Sequence, residues 1–159
     1  MSTTVLTGAA AADTARADNV PSAHNPDGLF DPAPLGFSHV VVTGSGRLAF
    51  IAGQGGERAD GALPATFDAQ AAQAFANLNA AIAAVGATPR QVVKLTTYIV
   101  DHDEARLAEM SSHLRTMFGD WRPAQTLVPV PRLALDGMLF EVDAVVLLSP
   151  DGEPRKTPN

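Results

Sequence analysis

The run MLFEVDAVVLL, residues 138–148, constrains this chain more than any other stretch. Apolar side chains occupy both of its parities, Phe140, Val142, Ala144 and Val146 on one, Leu139, Val145 and Leu147 on the other. Successive residues of a strand point to opposite faces of a sheet. A strand formed here therefore needs cover on two sides. Glu141 and Asp143 share a face opposite the Phe140 set, so the second side is apolar with carboxylates embedded in it.

Cover for one side comes from two segments with helical period. In residues 66–88, Phe67, Ala71, Phe75, Leu78, Ile82 and Val85 recur three or four apart and form one stripe. Thr66 is the expected N-cap and Gly86 the expected stop. In the second segment the stripe is Leu107, Met110, Leu114 and Met117 or Phe118, with Gly119-Asp120 ending it. Asp101 with Glu104 three residues on has the form of a capping box. Pro123 keeps Arg122 out of helical geometry.

Strand-like runs fill the remainder. Residues 39–43 and 47–52, joined through Gly44-Ser45-Gly46, have the form of a hairpin. Residues 92–100 and 125–130 read as further strands, and Asp136-Gly137 as a turn. The expected order is hairpin, helix, strand, helix, strand, strand. That predicts a two-layer α+β domain, a mixed sheet with two helices on one face. Two helices on one side leave the other face bare, and self-association through it is the simplest cover.

The domain is expected over residues 31–149. Residues 1–30, rich in Ala, Asp, Ser, Thr and Pro, read as a flexible arm, and residues 150–159 as a flexible tail. No run approaches the roughly 20 apolar residues that span a bilayer, and the first residues lack a basic start followed by an apolar core. There are no cysteines, which removes disulfides, thiolate catalysis and cysteine metal ligation. These features fit a cytoplasmic protein with no membrane partner.

The formal charge is -6, and the only lysines are Lys94 and Lys156. A nucleic-acid groove would need a basic stripe, and none is present. No phosphate loop occurs, and the glycines of residues 44–46 and 53–56 do not open a helix, so a dinucleotide reading fails on context. His24, His39, His102 and His113 make no recognised metal spacing. Asp101-His102-Asp103 could in principle hold a divalent ion, but a polar helix-start turn explains it better. Ser38 and His39 are adjacent on a strand and point apart. No metal and no cofactor are expected.

Glu141 is the sharpest candidate for chemistry. A carboxylate inside an apolar strand is costly unless paired or hydrogen-bonded, and a second carboxylate two residues away, Asp143, raises its pKa. The competing reading is structural, a carboxylate satisfying backbone N–H groups at a subunit seam.

The blocks LAFIAGQ, VVKLTTYIVD, RPAQTLVPVPRL and FEVDAVV, in this order around two helices, resemble the Rid family, also called YjgF/YER057c/UK114. The resemblance spans about residues 36–148. It implies a chorismate-mutase-like α/β fold and a homotrimer with three sheets around a central core. It also implies small-molecule sites in clefts between subunits. The best-known members hydrolyse reactive enamines and imines to ammonia and a 2-oxo acid, using an arginine to clamp the substrate carboxylate.

Several site positions depart from that pattern. The family's Pro-Ala-Arg is Pro123-Ala124-Gln125 here. A neutral amide can hydrogen-bond but cannot neutralise a carboxylate, and the exchange forfeits about 1–2 kcal/mol or more of binding. The tyrosine near the first strand appears as Phe37, and the asparagine of the second helix as Ser111. Glu141 matches the family glutamate associated with the hydrolytic water. Arg122, in the turn three residues before Gln125, is a candidate to restore the missing charge, and Arg132 resembles a family arginine of structural role.

What this implies is a divergent family member rather than an ordinary 2-iminobutanoate/2-iminopropanoate deaminase. On the enzyme reading, Glu141 orients or activates water, Gln125 and Ser111 hold a carbonyl or amide oxygen, and Phe37 forms an apolar wall. The alternative is a non-catalytic trimeric binding or regulatory protein using the same cleft. Ribonuclease action, historically attached to some relatives, draws little support from the acidic charge.

Overall fold

The computed structural model describes residues 20–149. The expected tail and residues 1–19 of the expected arm lie outside the described residues. Eight regular elements follow one another: β1 (Ser22–His24), β2 (Val40–Val42), β3 (Arg47–Gly55), α1 (Phe67–Ala84), β4 (Val92–Val100), α2 (Glu104–Phe118), β5 (Ala124–Val130) and β6 (Phe140–Leu148). Short 3-10 turns at Ala33–Leu35 and Pro89–Gln91 join them.

Four strands form the main sheet in the order β3-β6-β4-β5. β6 is antiparallel to both neighbours, while β4 and β5 are parallel. A parallel pair needs a crossover, and α2 supplies it. The sheet is thus mixed, with two helices packed on one face, as the sequence predicts.

The hairpin expected between residues 39–43 and 47–52 does not form. Both runs are extended, but β2 pairs with β1, Ser22 opposite Val42 and His24 opposite Val40. β3 pairs with β6 from Arg47 opposite Leu148 to Gly55 opposite Glu141. The long strand finds a partner of its own length and apolar character, and the three-residue β2 cannot compete. Propensity shows which residues extend, not which strand they join. Residues 22–24, within the stretch read as an arm, supply that second strand.

The first helix is capped as expected, with Thr66 Oγ1 accepting from Ala69 N at 3.3 Å. The second begins differently. Asp103 is its N-cap, accepting from Arg106 N at 2.8 Å, while Asp101 sits in the preceding turn at φ 48°. The strand's last carbonyl is held by the Arg106 guanidinium, which reaches back to Val100 O. Helix entry therefore shifts two residues past the expected box. Gly119, at φ 60°, ends α2 as predicted.

The core lies between the helices and the sheet. Leu78, Ile82, Leu95, Ile99, Leu114, Phe140, Val142 and Val146 are all fully buried. Phe140 meets Phe67 edge-on at 5.7 Å and Phe75 at 5.5 Å between ring centroids. Each such side chain contributes about 1.5–3 kcal/mol by leaving water. Gln70 is buried in the same layer and fully bonded. Its Nε2 donates to Pro64 O and Gly137 O, and its Oε1 accepts from Leu139 N. Leu139, expected on the second face, packs against this core instead.

The other face of the sheet has no helix over it. Phe50 is 77% exposed and Leu48 47%. Lys94, Thr96, Tyr98, Glu141, Asp143 and Val145 are half-buried on the same parity. Leu147, expected there, is buried outside the main core.

Candidate functional site

The candidate residues fall into two groups on opposite sides of the sheet. The first gathers at the β5 edge. Ser38 bridges to Ala124 in parallel fashion, and its N–H donates to Pro123 O at 3.0 Å. This lays residues 36–38 along the start of β5. Phe37 is half-buried there and meets Phe30 and His39 in edge-on contacts with centroids 6.1 and 5.8 Å apart.

Gln125 is opposite Leu95 in the register and so faces the helix side. Its Nε2 donates to Thr97 Oγ1 at 2.7 Å and approaches Met110 Sδ at 3.7 Å. Ser111, the next residue on α2, is buried, and its hydroxyl has no partner among the described residues. Leaving a buried hydroxyl unmade costs about 1–3 kcal/mol. Gly36 lies against this helix, where a Cβ would stand 3.1 Å from Leu114 Cβ and 3.5 Å from Ser111 O. The loop thus closes over Ser111, which sits beneath the edge rather than on it.

Arg122 makes no hydrogen bond to Gln125, and its buried Nε has no partner among the described residues. Its Nη1 donates to Gly119 O and to Trp121 O, the latter at 3.0 Å, so the guanidinium closes its own turn. Arg132 pairs with Asp136 at 3.2 Å on the surface. His113 joins the two helices instead, bonded to Asp68 at 2.8 Å and stacked on Phe75.

The second group surrounds Glu141. This residue is opposite Tyr98 in β4 and Gly55 in β3, on the helix-free face. Its carboxylate lies directly against the bare backbone of Gly53, at the irregularity in β3 between Ile51 and Gln54. A methyl group at Gly53 would overlap Glu141 Oε1. Glu57 lies in the same way against Gly55. Burial, then the charges of Glu57 and Asp143, push the Glu141 carboxyl above its ordinary value. Asp143 accepts from the Tyr98 hydroxyl at 3.2 Å. Lys94 donates to Thr126 Oγ1 at 2.6 Å, and burial pulls its ammonium below the usual range against the opposing pull of Asp143.

Three of these residues escape a reading of sequence alone. Asn77 of α1 donates to Gly55 O at 2.9 Å and Glu57 O at 2.8 Å, fixing the segment that brings Glu57 to Glu141. Glu57 itself looks like an ordinary loop carboxylate. In sequence Gly53 belongs only to a glycine cluster that fails as a dinucleotide motif. Its usable signal is that glycines interrupting a strand mark the close approach of another group. Gln54 turns its amide to Ala52 O and Gly53 O and so satisfies backbone groups.

Glu141 and Gln125 lie two strands apart, and their registers differ by three residues, Tyr98 against Leu95. From standard sheet spacings their Cα atoms are about 14 Å apart. Their side chains leave opposite faces. One chain therefore does not bring the two together. Among the described residues no group of three or more ligating side chains could hold a metal ion. No helix among them is long and apolar enough to cross a membrane.

The family model described as endoribonuclease L-PSP matches residues 31–148. The chain belongs to the Rid (YjgF/YER057c/UK114) family. A RutC family protein of Pyrococcus horikoshii is 31% identical over 121 residues, covering 72% of this chain and 89% of the relative. The RutC family protein YjgH of Escherichia coli is 40% identical over 101 residues, 64% of this chain and 76% of the relative. Among solved structures, a conserved Rid family protein of unknown function from Yersinia pestis is 37% identical. It superposes with a TM-score of 0.77, covering 80% of this chain and 98% of that one. The two helices and mixed sheet are the fold of this Rid family.

Proposed function

We propose that this Rid family member hydrolyses a small reactive imine- or enamine-type metabolite that carries no carboxylate, in clefts between copies of the chain. The observation carrying this reading is Glu141, a carboxylate of raised pKa laid on the bare backbone of Gly53 in a strand whose other residues, Asp143 apart, are apolar. An apolar side chain there would be cheaper to bury, and an adjoining glycine would be unnecessary.

The chemistry suits such a group. For an imine, Glu141 takes a proton from water as the water oxygen bonds to the C=N carbon and the π pair moves to nitrogen. Glu141 returns that proton to the nitrogen, giving the neutral carbinolamine. It then takes the hydroxyl proton and passes it to the same nitrogen, so that the C–N bond breaks and ammonia leaves as the C=O forms. A carboxylate whose pKa is lifted toward neutrality is the stronger base for this transfer. Phe37 walls the cleft and Gln125 meets the ligand's polar group. Among the described residues Arg122 is the arginine nearest to Gln125 in sequence, and its Nη1 is bonded to Gly119 O and Trp121 O in its own turn.

The same reading calls for assembly as a homotrimer. The helix-free face carries exposed Phe50 and Leu48. The Gln125 and Glu141 groups stand on opposite faces, so a cleft joining them needs two copies. Ribonuclease action is disfavoured by 11 basic against 17 acidic side chains. A cytoplasmic setting suits an unstable metabolite as substrate.

Ammonia release from a panel of neutral and carboxylated imines tests the proposal. Glu141→Ala is expected to abolish acceleration on the neutral members, and equal rates for variant and parent would leave only the binding-protein alternative. Gln125→Arg is expected to gain affinity for 2-imino acids.

A further inference from the structure

We infer that Gln125 presents a hydrogen-bond acceptor to the cleft, so that the ligand group meeting it is an N–H donor: an imine, amine or unsubstituted amide. This deepens the hydrolase reading by naming the polarity of its substrate. It also reverses the sequence expectation that the amide of Gln125 would hold a ligand oxygen.

The inference rests on which way the amide points. A glutamine amide carries two donor hydrogens on nitrogen and two acceptor sites on oxygen. Nε2 of Gln125 is 2.7 Å from Thr97 Oγ1 and 3.7 Å from Met110 Sδ. Thr97 has a single hydroxyl proton, and Thr126 O, 3.4 Å from Oγ1, is a carbonyl that can take it. The Thr97 oxygen therefore receives a hydrogen from Gln125. A flipped amide would set its oxygen against the methionine sulfur, two acceptors facing each other. Both hydrogens of the amide are thus used inside the protein. Oε1 accepts no hydrogen bond among the described residues.

The opposite half of the cleft has the same polarity. Glu141, Glu57 and Asp143 are carboxylates, acceptors when ionised. The donors on that face, Lys94 and Tyr98, are turned to Leu95 O, Thr126 Oγ1 and Asp143, so the carboxylates there and the Gln125 oxygen together disfavour a carboxylate ligand. A C=N–H group or its protonated form satisfies them. Exchange of arginine for glutamine at this position thus reverses the direction of the hydrogen bond as well as removing a charge.

Three matched probes separate the possibilities without any turnover: benzamide, N,N-dimethylbenzamide and benzoate, titrated into the intact protein by calorimetry. The side-chain amide resonances of Gln125 locate the site by NMR. Benzamide is expected to bind and shift those resonances. Deleting its two N–H groups in the dimethyl analogue should weaken binding about 5-fold, the worth of one neutral hydrogen bond. Benzoate should bind more weakly still. Gln125→Glu keeps the acceptor and should retain benzamide within about 3-fold, whereas Gln125→Met should lose it to the level of the dimethyl analogue.

Equal affinity for benzamide and its dimethyl analogue overturns the inference, and so does preference for benzoate or no benzamide binding at all. Because these measurements involve no catalysis, loss of donor preference leaves a Glu141-dependent hydrolase standing. Conversely, unchanged turnover in Glu141→Ala leaves the acceptor assignment untouched.

Discussion

The two faces of the β3-β6-β4-β5 sheet carry comparable numbers of side chains and very different chemistry. Toward the helices, Leu95, Ile99, Phe140, Val142 and Val146 are wholly buried. On the bare face, strand positions hold Lys94, Tyr98, Glu141 and Asp143 beside an exposed Phe50. β6 contributes to both, an unbroken apolar set on one parity and a broken one on the other. Folding requires only the first to be apolar. The polar groups on the second fit the proposed cleft between copies of the chain.

The contrast is tested most severely by the same deletion on each side. Phe140→Ala removes a ring that touches both Phe67 and Phe75 and is expected to cost about 3–5 kcal/mol. Phe50→Ala, at an exposed position, should change the stability of the isolated chain by no more than about 0.5 kcal/mol. Urea titration at high dilution compares them. Similar losses would mean that the bare face is part of the chain's own core.

Assembly is the next point at which the faces differ. Phe50→Asp places a charge in the middle of the proposed interface. Sedimentation should show three times the chain mass for the parent and a single chain mass for the variant, with helical content unchanged. A parent that sediments as a single chain would remove the cleft altogether.

The helix-side layer was the legible half of the molecule. Its period-3.6 stripes in α1 and α2 and the alternation in β6 name most of the core those elements supply, because one requirement, apolar burial, governs them. They miss Val92, Leu95, Ile99 and Trp121, and Val85 of the expected stripe is exposed. Strand pairing was less legible. Nothing local to residues 39–52 shows that β3 prefers β6 to β2, since that choice is made by a strand some ninety residues away. The site was legible in its residue types and illegible in its directions. Glu141 stood out as a carboxylate among apolar neighbours, but Gly53, Glu57 and Asn77, which set its surroundings, resemble ordinary loop and helix residues until the chain is folded. Arg122 looked available in sequence and is bonded to its own turn.

Gly53→Ala probes the site more gently. The added methyl overlaps Glu141 Oε1, so the carboxylate must swing away from its place on β3. Turnover should fall at least tenfold while the fold survives, because Gly53 is exposed and has no positive φ to preserve. Wild-type turnover in Gly53→Ala would mean that the close approach is packing without consequence for chemistry.

The smallest expected effect concerns the charge of Glu141 itself. Burial first, and then Glu57 and Asp143, raise its carboxyl above the ordinary 4.5. The folded chain therefore holds this proton more tightly than the unfolded chain does. Its contribution to stability is full below the unfolded value and is lost as pH rises through the raised folded value. At neutral pH the ionised carboxylate is a net cost to folding, retained at a place where a neutral residue would be more stable. Glu141→Gln removes that cost. Its thermal midpoint should exceed the parent's at pH 7 and converge with it as pH falls below the ordinary glutamate range. Catalysis should move the other way: parent activity rises as Glu141 ionises, and the Gln variant stays inactive throughout. A midpoint difference that does not change with pH would assign the carboxylate to structure alone. Opposite responses of stability and activity to one substitution would mark Glu141 as a group the bare face keeps for function at the expense of folding.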